Sequence, residues 1–434
     1  MMPQANLFVA APLKMEREAE LRNLLASMNV VPGQVNPANS LLPFSDFDRL
    51  HFARFVILND QTLDDVHDAY GLTRRNYPLM LAFLADFDGD ADHFRADLEA
   101  RAGAGLRRIF SCCEGFTLTS SLAQWMADND QPPAASYVNW LGRSVRQIHQ
   151  DDALRRALET HLQSNATQFA GQTPQATHQL LRDFVHSETQ AGRLKLTDDE
   201  PTPLLWWLRK VVHFFAVPLL LLALSPLLLL YLPVFIYQLR RRERSDPEIA
   251  PRPDAGHEAG LAELEDIYVS NQFSAMGSIK PGAFRRGTLM FLLWLVNYAA
   301  RHIFVRGHLA RVPTIHFARW VFLNDKKRMI FASNYDGSLD SYMDDFINKV
   351  GWGLNLAFSN GIGYPTTNWL VFDGSKDEQK FKHFLRRHQM PTQVWYDAHP
   401  GLAAFDLKRN MLIRQGIERR DMSDRELEQW IALF

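Results

Sequence analysis

The chain has 434 residues and a formal net charge of −2, long enough for two or three domains and without the cationic excess that drives nucleic-acid binding. Its two cysteines, Cys112 and Cys113, are adjacent, which excludes a disulfide framework and points to a reducing compartment. The N-terminal run MMPQANLFVAAPLKMERE has no basic segment ahead of a long apolar one, so it does not read as a signal peptide.

Taken in order, residues 1–45 read as an N-terminal extension with one helix over 14–27 and a loop rich in Pro, Asn and Gly. Residues 46–141 read as a first α+β unit. Strands are expected at 50–58, 79–87, 106–111 and 134–140, and helices at 90–102 and 118–128. Residues 142–203 are a polar helical connector. Within 204–244, the stretch 211–239 contains no Asp, Glu, Lys or Arg, which is enough apolar chain to meet a bilayer. Pro218, Pro226 and Pro233 interrupt it, basic residues flank both ends, and Trp206 and Trp207 sit where interfacial aromatics belong. A membrane hairpin turning near Ser225-Pro226 is the expectation.

Residues 245–313 comprise a Pro- and Gly-bearing linker and an amphipathic helix over 285–306. That helix is expected to lie in the membrane interface, with a short second span as the alternative. Residues 314–409 read as the second α+β unit. Strands are expected at 316–323, 328–333, 354–359, 369–373 and 392–397, with helices at 338–350 and 377–388. Residues 410–434 form a charged helical tail.

The two units share features that point to an internal duplication. LHFARFVILND from Leu50 matches IHFARWVFLND from Ile315, and the pairs Asp88-Gly89 and Asp336-Gly337 are followed at equal distance by Phe110-Ser111 and Phe358-Ser359. Strand periodicity places Arg54 on a face with Leu50, Phe52, Val56 and Leu58, and Arg319 with Ile315, Phe317, Val321 and Leu323. A guanidinium among apolar side chains needs an anionic partner. That partner is either a carboxylate of the same unit, Asp88 or Asp336, or an anionic ligand group. His51 and His316 recur in the two copies and are either hydrogen-bonded core residues or metal ligands. His399, in YDAHPG, is a further candidate ligand or a loop residue packed on Pro400. Asp336 lies at a strand-to-helix junction, where it can cap the helix or act as an acid–base group. No zinc, calcium, P-loop, dinucleotide or nucleophile-elbow spacing is present.

Tandem ferredoxin-like units paired into a barrel-like body resemble the dye-decolourising peroxidases. The segments Ser333-Asn334-Tyr335-Asp336-Gly337 and Ala85-Asp86-Phe87-Asp88-Gly89 are similar to that family's GxxDG motif, without its leading Gly. The resemblance implies a haem cofactor. Asp336 and Arg319 would be its peroxide-handling pair in one shared cavity, with His316 or His399 as iron ligand and Arg54 as a further cofactor contact. The sequence therefore suggests an α+β, membrane-attached protein facing the cytoplasm. It would act as an oxidoreductase on peroxide or a lipophilic substrate. The alternative is a non-catalytic protein that binds a lipid, a fatty acid or a partner protein.

Overall fold

The computed structural model describes residues 2–74, 76–198, 200–307 and 309–434. Eight principal strands occur in the order β1 Gln4–Pro12, β2 Leu50–Leu58, β3 Met80–Asp88, β4 Ala135–Val138, β5 Ser270–Ser278, β6 Ile315–Leu323, β7 Arg328–Asp336 and β8 Thr392–Asp397. The principal helices are α1 Glu18–Ala26, α2 Ala91–Phe110, α3 Leu122–Asp128, α4 Val145–Ser164, α5 Pro174–Gln190, α6 Leu204–Ser245, α7 Ala283–His302, α8 Leu339–Phe358, α9 Glu378–His388, α10 Ala404–Glu418 and α11 Asp424–Ile431.

The class is α+β, as expected, but the strands form two open four-stranded antiparallel sheets and no closed barrel. Sheet one has the order β1-β3-β2-β8 and sheet two the order β4-β6-β7-β5. Each sheet therefore takes one edge strand from the other part of the chain: β8 pairs with β2, and β4 pairs with β6. Neither 46–141 nor 314–409 completes a sheet alone. The inner faces meet through Phe8, Val56, Leu84, Met276, Val321 and Ile330. The outer face of sheet one is covered by α1, α2 and α3, and that of sheet two by α7, α8 and α9. Each sheet thus buries both faces, which explains the nearly continuous apolar character of β2 and β6. A separate cluster joins α4 and α5 to α10 and α11 through Leu158, Leu181, Ile413 and Trp430.

Several elements differ from the sequence reading. The segments 106–111 and 354–359 are not strands; they form the last turns of α2 and α8, each 20 residues long. Short apolar runs do not separate a buried strand from a buried helix end. The segment 369–373 contributes only to a two-residue pairing of Thr367–Asn368 with Phe372–Asp373. Strands β1 and β5, unassigned in the sequence, are the outer partners of β3 and β7.

The apolar stretch is one continuous helix, α6, of 42 residues, and it does not turn at Ser225-Pro226. It is the one helix among the described residues long and apolar enough to cross a membrane. Proline removes the N–H that would bond four residues back, and the freed carbonyls at two of the three prolines have other donors. The Tyr298 hydroxyl donates to Phe214 O at 3.0 Å, and the Ser225 hydroxyl to Leu222 O at 2.7 Å. Both ends of α6 are tied to the same body. His213 and His302 share a 2.8 Å hydrogen bond at one end. At the other, Phe235 packs on Phe284, and Glu243 accepts from the backbone N–H groups of Trp369 and Leu370. Between these anchors, Leu227 to Leu230 are all exposed. Helix α7, expected to be interfacial, turns Leu289 and Leu293 into the body and leaves Met290 and Phe291 exposed.

Candidate functional site

The strands β2 and β6 begin with a bulge. The β2–β3 register shifts between Leu50 and Phe52, and the β6–β7 register between Ile315 and Phe317. The residues at these shifts are His51 and His316. A bulge re-aims a side chain, so strict alternation breaks at the start of each strand, where Ile315, like Leu50, leaves the face of its arginine for the helical side. It holds for Phe52, Arg54, Val56 and Leu58, which point between the sheets, while Leu50 joins the helical side.

Each re-aimed histidine meets the aspartate that ends the neighbouring strand. His51 Nε2 lies 3.0 Å from Asp88 Oδ1, and His316 Nε2 lies 2.6 Å from Asp336 Oδ1. The second carboxylate oxygen accepts a backbone N–H at a helix start: Val145 of α4 for Asp88 at 2.9 Å, and Ala404 of α10 for Asp336 at 2.8 Å. Asp336 therefore does not cap α8. Ser338 does so by accepting from Ser341 N, and Asp90 caps α2 by accepting from His93 N. Gly89 and Gly337, with φ of +103° and +84°, turn the chain from aspartate to cap.

His399 stands between the two pairs. Its ring centroid is 6.1 Å from that of His51 and 5.9 Å from that of His316. Phe52 and Phe317 close the cluster, with Phe52 5.0 Å from His399. His399 is 3 % exposed; its Nδ1 lies 3.1 Å from Asp397 Oδ1 without hydrogen-bond geometry, and its Nε2 has no partner among the described residues. Asp397 Oδ1 accepts the His399 backbone N–H at 2.9 Å, and Asp397 Oδ2 is also unpartnered. Buried polar atoms without partners are uncommon and mark sites of function or bound solvent.

Burial, reinforced by His316 and His51, holds the His399 imidazole well below its usual range, so it is neutral. Burial, with Asp336 nearby, pushes the Asp397 carboxyl up to about 7. Burial also opposes charge on His316, but the Asp336 carboxylate more than offsets this and raises its pKa. A neutral acceptor thus sits beside groups that hold protons near neutral pH, the separation that acid–base chemistry requires. Ser270 Oγ is 3.3 Å from His316 Nε2, but it donates to the same Asp336 oxygen that the histidine contacts. This is not a serine triad, in which the base links the other two groups through different nitrogens.

The space against His51, His316, His399 and Arg143 is about 20 Å³, room for a single water. Gln4 and Val138 line both this space and a cleft of about 470 Å³ beside α6 and α7. The larger cleft is bordered by Trp206, Arg209, Lys210, His213, Arg301 and His302.

The arginines lie elsewhere. Arg54 and Arg319 each cross to the opposite sheet. Arg54 donates to Phe273 O and Ser333 O, both at 2.9 Å, and to Asn334 Oδ1. Arg319 donates to Leu7 O at 2.9 Å and pairs with Asp86. Asn334 Nδ2 donates to the other Asp86 oxygen at 3.1 Å. Asp86 thus serves two guanidinium groups, and burial, with Arg319 close by, lowers the Arg54 pKa to about 9. The expected carboxylate partners, Asp88 and Asp336, are occupied by histidines. Arg319 and Asp336 do not meet in one cavity, because Arg319 is paired across from Ala332 in β7, four residues short of Asp336.

These positions do not suit a haem. The space beside His316 and His399 has the size of a water molecule, Asp336 occupies His316 Nε2, and neither Arg319 nor Arg54 faces it. Among the described residues, no group of three or more His, Cys, Asp or Glu side chains is disposed to hold a metal ion. Cys112 and Cys113 are buried and free, and burial raises both thiols, Cys113 to about 12. They behave as small apolar residues.

The sequence marked the recurrent histidines, His399 and Asp336, but not Asp397. An aspartate two residues before a candidate histidine was a readable signal. Comparison with family models, curated proteins and solved structures finds no match for this chain.

Proposed function

We propose that this is a membrane-attached enzyme that carries out proton transfer on a lipophilic substrate. His399 would be the base and Asp397 and His316 the proton-holding partners. The observation that carries this reading is the buried His399 imidazole, set by Nδ1 against Asp397 and with Nε2 unpartnered, between two anchored Asp–His pairs. Positioned acids and bases of displaced pKa contribute typically 10²–10⁴-fold to such a step. Asp88 and Asp336, each fixed by a helix-start N–H, would orient His51 and His316. The cleft sharing Gln4 and Val138 with the histidine space would admit substrate from the membrane side. No step through haem is derived.

Membrane attachment is supported by α6. Its ends, about 33 Å apart between His213 and Phe235 at 1.5 Å per residue, are held by one body. A helix crossing a bilayer would carry those ends to opposite sides. We infer that α6 lies in the membrane plane, on the cytoplasmic leaflet given its basic flanks. We also infer that the two sheets arose by duplication. The reading is supported by their identical strand order and by the matching roles of His51 with His316 and Asp88 with Asp336.

The roughly 470 Å³ cleft favours a second reading, a carrier that binds an amphiphile without converting it. Incubating the full-length protein and its His399→Gln variant with a membrane lipid extract, followed by mass spectrometry, separates the two. Conversion by the wild type and not by the variant supports the enzyme. Lipid that co-purifies equally with both proteins and is never converted supports the carrier and refutes the enzyme.

A further inference from the structure

Where α6 leaves the body, the cleft of about 470 Å³ is bordered by Arg209, Lys210 and Arg301, and no aspartate or glutamate lines it. None of these three cations forms an ion pair with a described carboxylate. Lys210 lies 5.2 Å from the Trp206 ring centroid, and Arg301 donates to Asn297 Oδ1 at 3.2 Å. At the other end of α6, Arg240 pairs with Glu243 and Arg285 with Asp246, while Arg241 and Arg244 form no ion pair with a described carboxylate. What sets this root apart is that three cations without ion-pair partners line one cleft free of carboxylates. Directly outside the cleft, Leu204, Leu205, Trp207 and Leu208 are all more than half exposed. Polar donors at the floor and exposed aliphatic and indole side chains at the rim match a ligand with a charged head and an apolar body.

We propose that this cleft binds the phosphate headgroup of an anionic membrane lipid. Arg209, Lys210 and Arg301 would meet the phosphate oxygens, and the acyl chains would lie along the exposed face of α6. The charge selects an anion. The volume exceeds that of a bare ion, and the adjoining apolar helix makes a lipid the fitting source rather than a soluble phosphate ester. The His213–His302 pair, joined at 2.8 Å, forms the end wall of the same cleft. The inference rests on membrane attachment but not on the proton-transfer reading, since a carrier would need the same headgroup site.

The test uses the full chain in a zwitterionic detergent, following thermal unfolding while short-chain phosphatidic acid, short-chain phosphatidylcholine or inorganic phosphate is titrated. Saturable stabilisation by phosphatidic acid alone is expected, because ligand binding to the folded state raises its stability. The variant R209Q/K210Q should bind about 30-fold more weakly, taking roughly a fivefold loss per cation. R241Q/R244Q removes equal charge at the far end of the helix and should leave the titration unchanged. Equal stabilisation by inorganic phosphate would overturn the lipid source. A titration unaffected by R209Q/K210Q, or equally weakened in both variants, would overturn the site. Flotation of the same proteins on phosphatidylcholine vesicles reports membrane attachment separately. A wild type that fails to float yet binds phosphatidic acid would refute the attachment and keep the anion site.

Discussion

Asp86 is the carboxylate on which two buried guanidinium groups depend, so its removal tests the packing between the sheets. Arg54 and Arg319 are each 2 % exposed and Asp86 is 3 % exposed. Asp86 accepts from Arg319 and from Asn334, and Arg54 reaches Asn334 from the other side. Asp86→Ala would leave two positive charges in a space that excludes water. Breaking a buried pair from one side costs about 3–5 kcal/mol, and the second cation places this site at the upper end. The double variant D86A/R319M removes both members of the ion pair, so its cost should fall at least ~2 kcal/mol short of the sum of the single changes. Chemical denaturation of the detergent-solubilised protein, comparing midpoints at constant slope, supplies the numbers. A loss below about 1 kcal/mol for D86A, or additive losses in the double variant, would refute the claim that this network joins the sheets.

Three further outcomes follow from the same structure. Asp397→Asn should raise stability above neutral pH and converge with the wild type in acid. The folded-state pKa is raised from 3.8 to about 7, so the wild type loses stability as pH climbs through that window, by at most about 4 kcal/mol. Melting curves from about pH 4 to pH 8 check the sign, and a difference that grows toward acid would contradict it. Gly105→Ala should destabilise by about 3 kcal/mol, because a Cβ there would overlap the Leu41 carbonyl. An unchanged melting temperature would mean that α2 is not seated on that loop. Finally, tags at the two termini should label from the same side of intact cells, and opposite-side labelling would exclude an in-plane α6.

Much of the site was legible because two short segments that mark it, HFAR and Asp-Gly, each occur twice. The shared HFAR and Asp-Gly segments identified residues that now occupy matching places, and the arginine on an apolar face announced a buried partner. Its identity was not legible. Asp86 lies on the opposite sheet, and its counterpart on β7 is Asn334, so the two arginines have different partners despite matching backbone contacts. Strict alternation also hid the histidine–aspartate pairs, because only the bulges at His51 and His316 bring them onto the aspartates. Strand β5 was missed for a different reason. Its sequence SNQFSAMGS is polar, yet Ser270, Asn271, Gln272 and Ser274 are buried and bonded to Asp336, Tyr268, Thr392 and Arg54. Side-chain hydrogen bonds take the place of the apolar pattern that marks a strand. The hairpin expectation failed because the Tyr298 and Ser225 hydroxyls supply bonds that let α6 pass two of its prolines.

The central claim concerns the protonation of two histidines, His399 and His316, and ¹⁵N-histidine nuclear magnetic resonance reads it directly. In the full-length protein at about pH 6, His399 should be neutral while His316 carries both ring protons, assigned by the His399→Gln and His316→Gln variants. If His399 instead titrates with an ordinary imidazole value, close to that of a solvent-exposed histidine, it is not a buried base, and the proposed acid–base centre does not exist.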